Sequence, residues 1–316
     1  MAPEAARVRR GPHRGSRDRV PVIPTDRNDA IITAGRRDVS LTNLQKPFWP
    51  ALGITKGGLL QYYADVAPFL LPHVRGRAMV MKRTPSPRPD WIETCSIEHG
   101  SGSIIAFPMV QDLASLLWLI NLGCIDLNPW YSRCDDVDRP DFLHFDLDPG
   151  PQASFPQVLA SALVVRQALD VLDLTSYPKT TGSRGIHVYV PIRRGPTQKQ
   201  VWAFAKALAF ELAGRNPSLM TAEYRIARRP RDRVLVDYNQ NAWGRTLASV
   251  YSVRPTPHAA VSAPVTWQEV ERGFAIEDFT MRTMGTRLSR TGDLWKPLAE
   301  ARGRCDLERF LRRVPA

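Results

Sequence analysis

Residues 144–150 read His144-Phe145-Asp146-Leu147-Asp148-Pro149-Gly150, a strand with two acids on one face that runs into a turn. Side chains alternate across a strand, so Asp146 and Asp148 point one way while Phe145 and Leu147 point into a core. Far downstream a second apolar run, Val234-Leu235-Val236-Asp237, also ends in an acid. By itself an Asp-x-Asp before Pro-Gly fits a solvated strand end as well as a metal site. The apolar residues Phe142, Leu143, Phe145 and Leu147 tip the balance, because acids at the end of a buried strand are costly unless a cation meets them. Three carboxylates suit two hard cations, Mg²⁺ or Mn²⁺. Spaced roughly 3.5–4 Å apart, such ions stabilise the attacking and leaving oxygens of an in-line phosphoryl displacement. The pattern points to nucleotidyl or phosphoryl transfer on a sheet.

The rest of the chain suits a polyanionic partner. Its 316 residues hold 43 Lys plus Arg against 31 acids, a net charge of +12, and a field of that sign attracts nucleic acid. A 43% hydrophobic content allows a substantial core, and no apolar run is long enough to span a membrane. The start, Met1-Ala2-Pro3-Glu4, has no secretory apolar segment. Cys95, Cys124, Cys134 and Cys305 are scattered without a Cys-x-x-Cys pair, which argues against a zinc site or a disulfide framework and for a reducing cytosol.

Residues 1–30, rich in Arg, Pro and Gly, read as a disordered basic tail; 31–300 as the catalytic domain; and 301–316 as a C-terminal helical extension. Capping boxes at Ser154-Gln157, Thr197-Gln200 and Thr266-Glu269 predict helices through Leu172, to Gly214, and a short one after Thr266. Further helices are expected over Thr55–Leu71 and Asp112–Leu122. Strands are expected at Ala78–Lys82, Ile104–Phe107, Asp141–Leu147, Ile186–Ile192, Val234–Tyr238 and Thr246–Tyr251. Long helices between strands, with some hairpin-like adjacency, make a mixed α/β sandwich.

A second constellation, Thr180-Thr181-Gly182-Ser183-Arg184-Gly185-Ile186-His187, offers close backbone approach and N–H groups to an anion, with Arg184 adding charge. Alternation carries His187 and Tyr189 out of the core, where His187 can donate to a phosphate oxygen. No Walker A loop is present.

In order and spacing, Phe145-Asp146-Leu147-Asp148-Pro149-Gly150, Lys179-Thr180-Thr181-Gly182-Ser183-Arg184-Gly185-Ile186-His187, Val236-Asp237-Tyr238-Asn239-Gln240-Asn241 and Tyr251-Ser252-Val253-Arg254-Pro255 resemble the polymerase domain of bacterial ATP-dependent DNA ligase D. That domain belongs to the archaeo-eukaryotic primase-polymerase superfamily. The resemblance covers about residues 38–300, and no Lys-x-Asp-Gly ligase signature accompanies it, which suggests a stand-alone polymerase. It implies an α+β primase-polymerase fold, two packed sheets flanked by helices, with an RRM-like catalytic sheet.

The resemblance also implies roles. Asp146 and Asp148 would hold both metal ions and Asp237 the catalytic one, with Asp237 taking the proton of the attacking 3′-hydroxyl. Thr181, Ser183, Arg184 and His187 would line the triphosphate and sugar pocket; Lys82, Arg83, Gln240 and Arg254 match further nucleotide contacts. Arg229 matches another, with Arg231 the alternative under a one-residue shift near Pro230. Asn43, Lys46 and Lys56 match a pocket for the 5′-phosphate of a gapped or broken DNA end. Two departures stand out. Asn128 replaces a frequent histidine and can hydrogen-bond a ribose hydroxyl without carrying charge, and the stretch before Trp91 lacks a Phe-Phe insert that stacks on template in relatives.

The expected activity is primer extension from nucleoside triphosphates during gap filling and non-homologous end joining. Ready use of ribonucleotides, a preference for Mn²⁺, Ku and a separate ligase as partners, and a nucleoid-associated cytoplasmic site are all implied by the resemblance. A primase that starts chains de novo, a non-catalytic DNA-end scaffold and a metal-dependent nuclease are the rival readings.

Overall fold

The computed structural model describes residues 23–81, 88–98, 100, 102–300 and 303–311. The expected nucleotide contacts Lys82 and Arg83, and the tail arginines Arg7, Arg9, Arg10, Arg14, Arg17 and Arg19, lie outside these residues.

The chain opens with a hairpin of β1 (Ala30–Ala34) and β2 (Arg37–Leu41), then the short β3 (Pro47–Trp49) and β4 (Ile54–Thr55), and then α1 (Lys56–Val74). Next come β5 (Met79–Val80), the hairpin of β6 (Thr94–Glu98) and β7 (Ile104–Pro108), and α2 (Leu113–Asn121). Three short strands, β8 (Asn128–Pro129), β9 (Ser132–Arg133) and β10 (Asp136–Pro140), lead into β11 (Phe142–Pro149). Then follow α3 (Phe155–Val171), β12 (Tyr177–Thr180), β13 (Ile186–Pro191), α4 (Gln198–Arg215), β14 (Met220–Thr221) and β15 (Val234–Asp237). Four helices finish the chain: α5 (Trp267–Arg272), α6 (Met281–Thr291), α7 (Lys296–Ala299) and α8 (Glu308–Leu311).

Five strands form the central sheet in the order β12-β13-β11-β15-β14, antiparallel except for β14 beside β15. Helices α3 and α4 cover one face. Val158, Ala162, Val165 and Leu169 of α3, and Val201, Ala205 and Leu212 of α4, are buried, as are Phe145, Leu147, Val188 and Val236 of the strands. Each large apolar side chain so buried contributes on the order of 1.5–3 kcal/mol. The other face carries the polar residues of every second position, held in one register. β12 pairs Lys179 with His187, β13 pairs His187 with Asp146, and β15 pairs Asp237 with Asp146. A single row across four strands therefore reads Lys179, His187, Asp146, Asp237.

The mixed α/β class holds, but the expected second sheet is broken into two-stranded ribbons among the described residues. The capping boxes form as expected: Ser154 N–H donates to Gln157 Oε1 at 2.8 Å, Thr197 N–H to Gln200 Oε1 at 2.8 Å, and Thr266 N–H to Glu269 Oε2 at 2.7 Å. Helix α4 passes Gly214 and ends after Arg215, where the Asn216 amide closes the last turn on Leu212 O. Thr246–Tyr251 is not a strand. Ser249 N–H bonds Leu127 O, Tyr251 N–H bonds Ser262 O, and Tyr251 at φ +62° breaks the extension. Folded chain also reaches back into the expected tail, since Ile23 is buried and its N–H meets Gln61 Oε1.

The cysteine reading needs correction. Cys95 of β6 and Cys134 after β9 form a disulfide, with Cα atoms 5.7 Å apart, in a small second core with Ala78, Ile97 and Trp130. A separation of 39 residues hides a pair that only the packing of the β6–β7 hairpin brings together. No described helix is long and apolar enough to cross a membrane.

Candidate active site

The exposed face of the central sheet forms the floor of a cavity of about 270 Å³. Asn128, Asp146, Asp148, Thr181, Ser183, Arg184, His187, Gln240 and Arg254 all line it, so residues spread over more than a hundred positions converge. Asp237 lies directly across from Asp146 on β15. Its carboxylate accepts Asn239 N–H at 2.8 Å and Gln240 Nε2–H at 3.0 Å, which fixes its rotamer. Asn241 continues the ladder where β15 stops: its amide donates to His144 O at 2.7 Å and accepts His144 N–H at 3.1 Å. No role attaches to Asn241 from the sequence; its short amide can bond backbone groups as this one does.

Electrostatics set the three acids apart from ordinary surface carboxylates. Burial raises Asp146 to about 6 against the pull of Lys179 and Arg254. Burial first, and Asp146 second, also raise Asp148 and Asp237. Carboxylates that hold each other above their usual range are a donor set short of positive charge, and oxygen donors suit Mg²⁺ or Mn²⁺. The residues therefore fit a divalent cation. Among the described residues no three His, Cys, Asp or Glu side chains close around one point. Asp146 leans toward His187 at 3.3 Å, Asp237 is held by Gln240, and Asp148 is half exposed with Arg184 at 4.0 Å, so ligation asks the three to turn inward.

The 181–187 turn differs in part from expectation. Thr181 Oγ1 accepts Ser183 N–H and Gly185 N–H, both at 3.1 Å, so these two backbone donors serve the turn itself. Glycine is needed twice here: Gly182 has φ +69°, and a Cβ on Gly185 would stand 2.3 Å from Leu147 O. Side chains supply the donors toward the cavity, namely Ser183, Arg184, Arg254 and His187. His187 does not leave the core. It is 3% exposed at the cavity floor, and burial together with Lys179 and Arg254 holds its imidazole neutral, well below the usual histidine range.

Arg229 donates to the carbonyls of Glu223 and Tyr224 and acts electrostatically on Asp148 and Asp237 without lining the cavity; Arg231 is exposed and offers its carbonyl to Gln152 N–H. Asn43, Lys46 and Lys56 come together in the loop ahead of α1. Lys46 N–H bonds Asn43 O, Lys56 N–H bonds Lys46 O, and Asn43 takes φ +56°. They are not equivalent. Lys46 is exposed and lines a second cavity of about 700 Å³, whereas Lys56 is 5% exposed with its ammonium on Thr42 O. The larger cavity, walled by Phe48, Val80, Met81 and Ile125, shares Asn128 and Thr246 with the smaller one.

Residues 55–295 match the model of the family described as LigD, primase-polymerase domain. The chain is 32% identical over 276 residues to the multifunctional non-homologous end joining protein LigD of Mycolicibacterium smegmatis, covering 82% of this chain and 36% of that protein. It is 30% identical over 288 residues to the multifunctional non-homologous end joining DNA repair protein LigD of Mycobacterium tuberculosis, covering 84% and 38%. The chain thus spans somewhat over a third of the length of these curated relatives. Among solved structures, the polymerase domain of Mycobacterium tuberculosis ligase D in complex with DNA superposes with a TM-score of 0.77 at 28% identity, over 83% of this chain and 98% of that one.

Proposed function

The chain belongs to the LigD primase-polymerase domain family, and on that footing we propose that it extends a DNA 3′ end from nucleoside triphosphates during gap filling and end joining. The observation that carries this reading is the mixed polarity of the site: Asp146 and Asp148 line the cavity, with Asp237 paired across from Asp146 on β15, and His187, Arg184 and Arg254 line it as well. An incoming triphosphate needs that polarity, with cations toward its oxygens and carboxylates beside the atoms that react.

Asp146, Asp148 and Asp237 hold Mn²⁺ or Mg²⁺ in this reading. Two such ions, when bound, lower the pKa of the attacking hydroxyl and neutralise charge on the transferring phosphate. Asp237, steadied by Gln240 and raised above its usual range, accepts the 3′-hydroxyl proton. Arg184, Arg254, Ser183 and His187 grip the triphosphate, Thr181 shapes the turn that carries Ser183 and Arg184, and Arg229 acts electrostatically on Asp148 and Asp237. Asn128 stands where a sugar edge meets the larger cavity, whose apolar walls suit stacked bases. Without a charged side chain there, ribose and dexoyribose differ by one hydrogen bond, in keeping with use of both. Ku and a separate ligase complete the proposed pathway, at the nucleoid.

The test is primer extension on a gapped duplex with a 5′-phosphate, offering deoxy- and ribonucleotides with Mn²⁺, Mg²⁺ or chelator. Metal-dependent extension of the 3′ end is expected. No extension with either ion and either sugar would overturn the reading, and products on a bare template without primer would redirect it to a primase.

A further inference from the structure

Lys179 stands beside the site, paired with His187 across β12 and β13, and has no assigned role. It is fully buried on β12, and its ammonium has three neighbours: His187 Nδ1 at 2.6 Å, Ser262 Oγ at 2.6 Å and Ala248 O at 2.9 Å. Two of these can only accept, because Ala248 offers a carbonyl and Ser262 spends its own proton on Thr180 O at 2.8 Å. Tyr189 and Trp295 present their rings 5.8 and 5.9 Å from the nitrogen, a setting that favours a cation. Burial first and Arg254 second pull the Lys179 ammonium down, and among the described residues no carboxylate touches it, so the two ring faces and the field of Asp146 are what favour the charged form. As a cation it gives its third proton to His187 Nδ1, which leaves the imidazole hydrogen on Nε2, 3.3 Å from Asp146 Oδ1 and facing the cavity.

From this geometry we infer that Lys179 is a positioning residue: it fixes the His187 tautomer, so that Nε2–H is presented as a donor to the triphosphate that enters beside Asp146. The Lys179 Nζ contact on His187 Nδ1, and the approach of His187 Nε2 to Asp146, run along one row of the sheet, so backbone pairing sets their spacing. A core-filling role asks for nothing from the ammonium. Methionine would fill the same volume, pack against the same rings and leave the imidazole free to carry its proton on either nitrogen. The triphosphate part of the inference rests on the polymerase reading; the tautomer part does not.

Long-range ¹H–¹⁵N correlation of the histidine rings, with His187 assigned through its loss in His187→Gln, reads the tautomer directly. The wild type is expected to show His187 protonated on Nε2 and Lys179→Met to show a mixed or Nδ1-protonated ring. Binding of ATP with Mn²⁺ should weaken about tenfold in Lys179→Met, the size of one charge-assisted contact. It should weaken no further when His187→Gln is added, since both changes remove one donor. A wild-type ring protonated on Nδ1 overturns the inference even if Lys179→Met fails to fold. So does an unchanged tautomer in the variant, or additive losses. A correct tautomer with no ATP binding in any protein would sink the polymerase reading while leaving Lys179 its positioning role.

Discussion

The row on the central sheet and the loop ahead of α1 are both clusters of polar residues beside a cavity, yet they are built in opposite ways. In the row, register does the positioning: Asp146 has His187 on one side and Asp237 on the other because β11 pairs antiparallel with both neighbours. In the loop, Asn43, Lys46 and Lys56 are held by a few backbone hydrogen bonds and one residue at positive φ. Charges on the sheet are desolvated and perturb one another; in the loop, burial first and Lys46 second pull Lys56 down. Desolvated, rigid groups suit a reaction centre, where preorganised charge is worth most. Solvated, adjustable ones suit holding a phosphate whose exact placement matters less.

The largest effect that would break this contrast is on turnover. Asp146→Ala, Asp148→Ala and Asp237→Ala should each lower primer extension by at least about 10²–10³-fold, as expected when charge neutralisation at the reacting phosphate is lost. Binding of gapped DNA, measured by anisotropy, should stay within a fewfold. A variant that keeps near-normal extension would remove its acid from the site.

Next comes stability. Asp146 titrates at about 6 in the folded chain against an ordinary 3.8, so between those values the folded state binds the extra proton. The Asp146 contribution to the stability of the metal-free protein should therefore fall as pH rises from about 4 to 6, by roughly 2–3 kcal/mol, against the opposite trend from the buried His144 and His187, whose depressed values make stability rise with pH. Asp146→Asn should melt above wild type at pH 7 in chelator, the gap closing below pH 4, and Mn²⁺ should raise the wild type's Tm but not the variant's. A variant that melts below wild type at pH 7 would mean the carboxylate is not strained.

The loop should give smaller and divided effects. Lys56→Ala leaves Thr42 O without its buried partner and should cost about 1–3 kcal/mol of stability in denaturant melts. Lys46→Ala, at an exposed position, should leave stability unchanged and weaken binding of a gap bearing a 5′-phosphate up to about tenfold, with a 5′-hydroxyl gap unaffected. Equal weakening on both gaps, with a shallower salt dependence, would make Lys46 a generic electrostatic contact.

The mildest change lies between the cavities. Asn128→Ala should reduce ribonucleotide use about 2- to 10-fold more than deoxynucleotide use, the worth of one hydrogen bond to a 2′-hydroxyl. Equal losses in single-nucleotide kcat/KM would show that Asn128 does not read the sugar.

What was legible from the chain alone follows from period and local chemistry. The alternation in His144-Phe145-Asp146-Leu147-Asp148 needs no partner to put both acids on one face, and the Ser154, Thr197 and Thr266 boxes announce helix starts because caps are satisfied within four residues. Tertiary structure decided the rest. Whether Asp237 meets Asp146 depends on strand order, which no local pattern encodes, and so does the pairing of Cys95 with Cys134 across 39 residues. Thr246–Tyr251 has the residues of a strand but finds Leu127 and Ser262 in different directions, so it becomes cavity wall. Lys56 and Lys179 are two lysines in a basic chain, and nothing in their neighbours along the sequence says that both are buried. Burial is a property of what packs on a residue from elsewhere, and it is burial that turned one lysine into a loop anchor and placed the other behind His187.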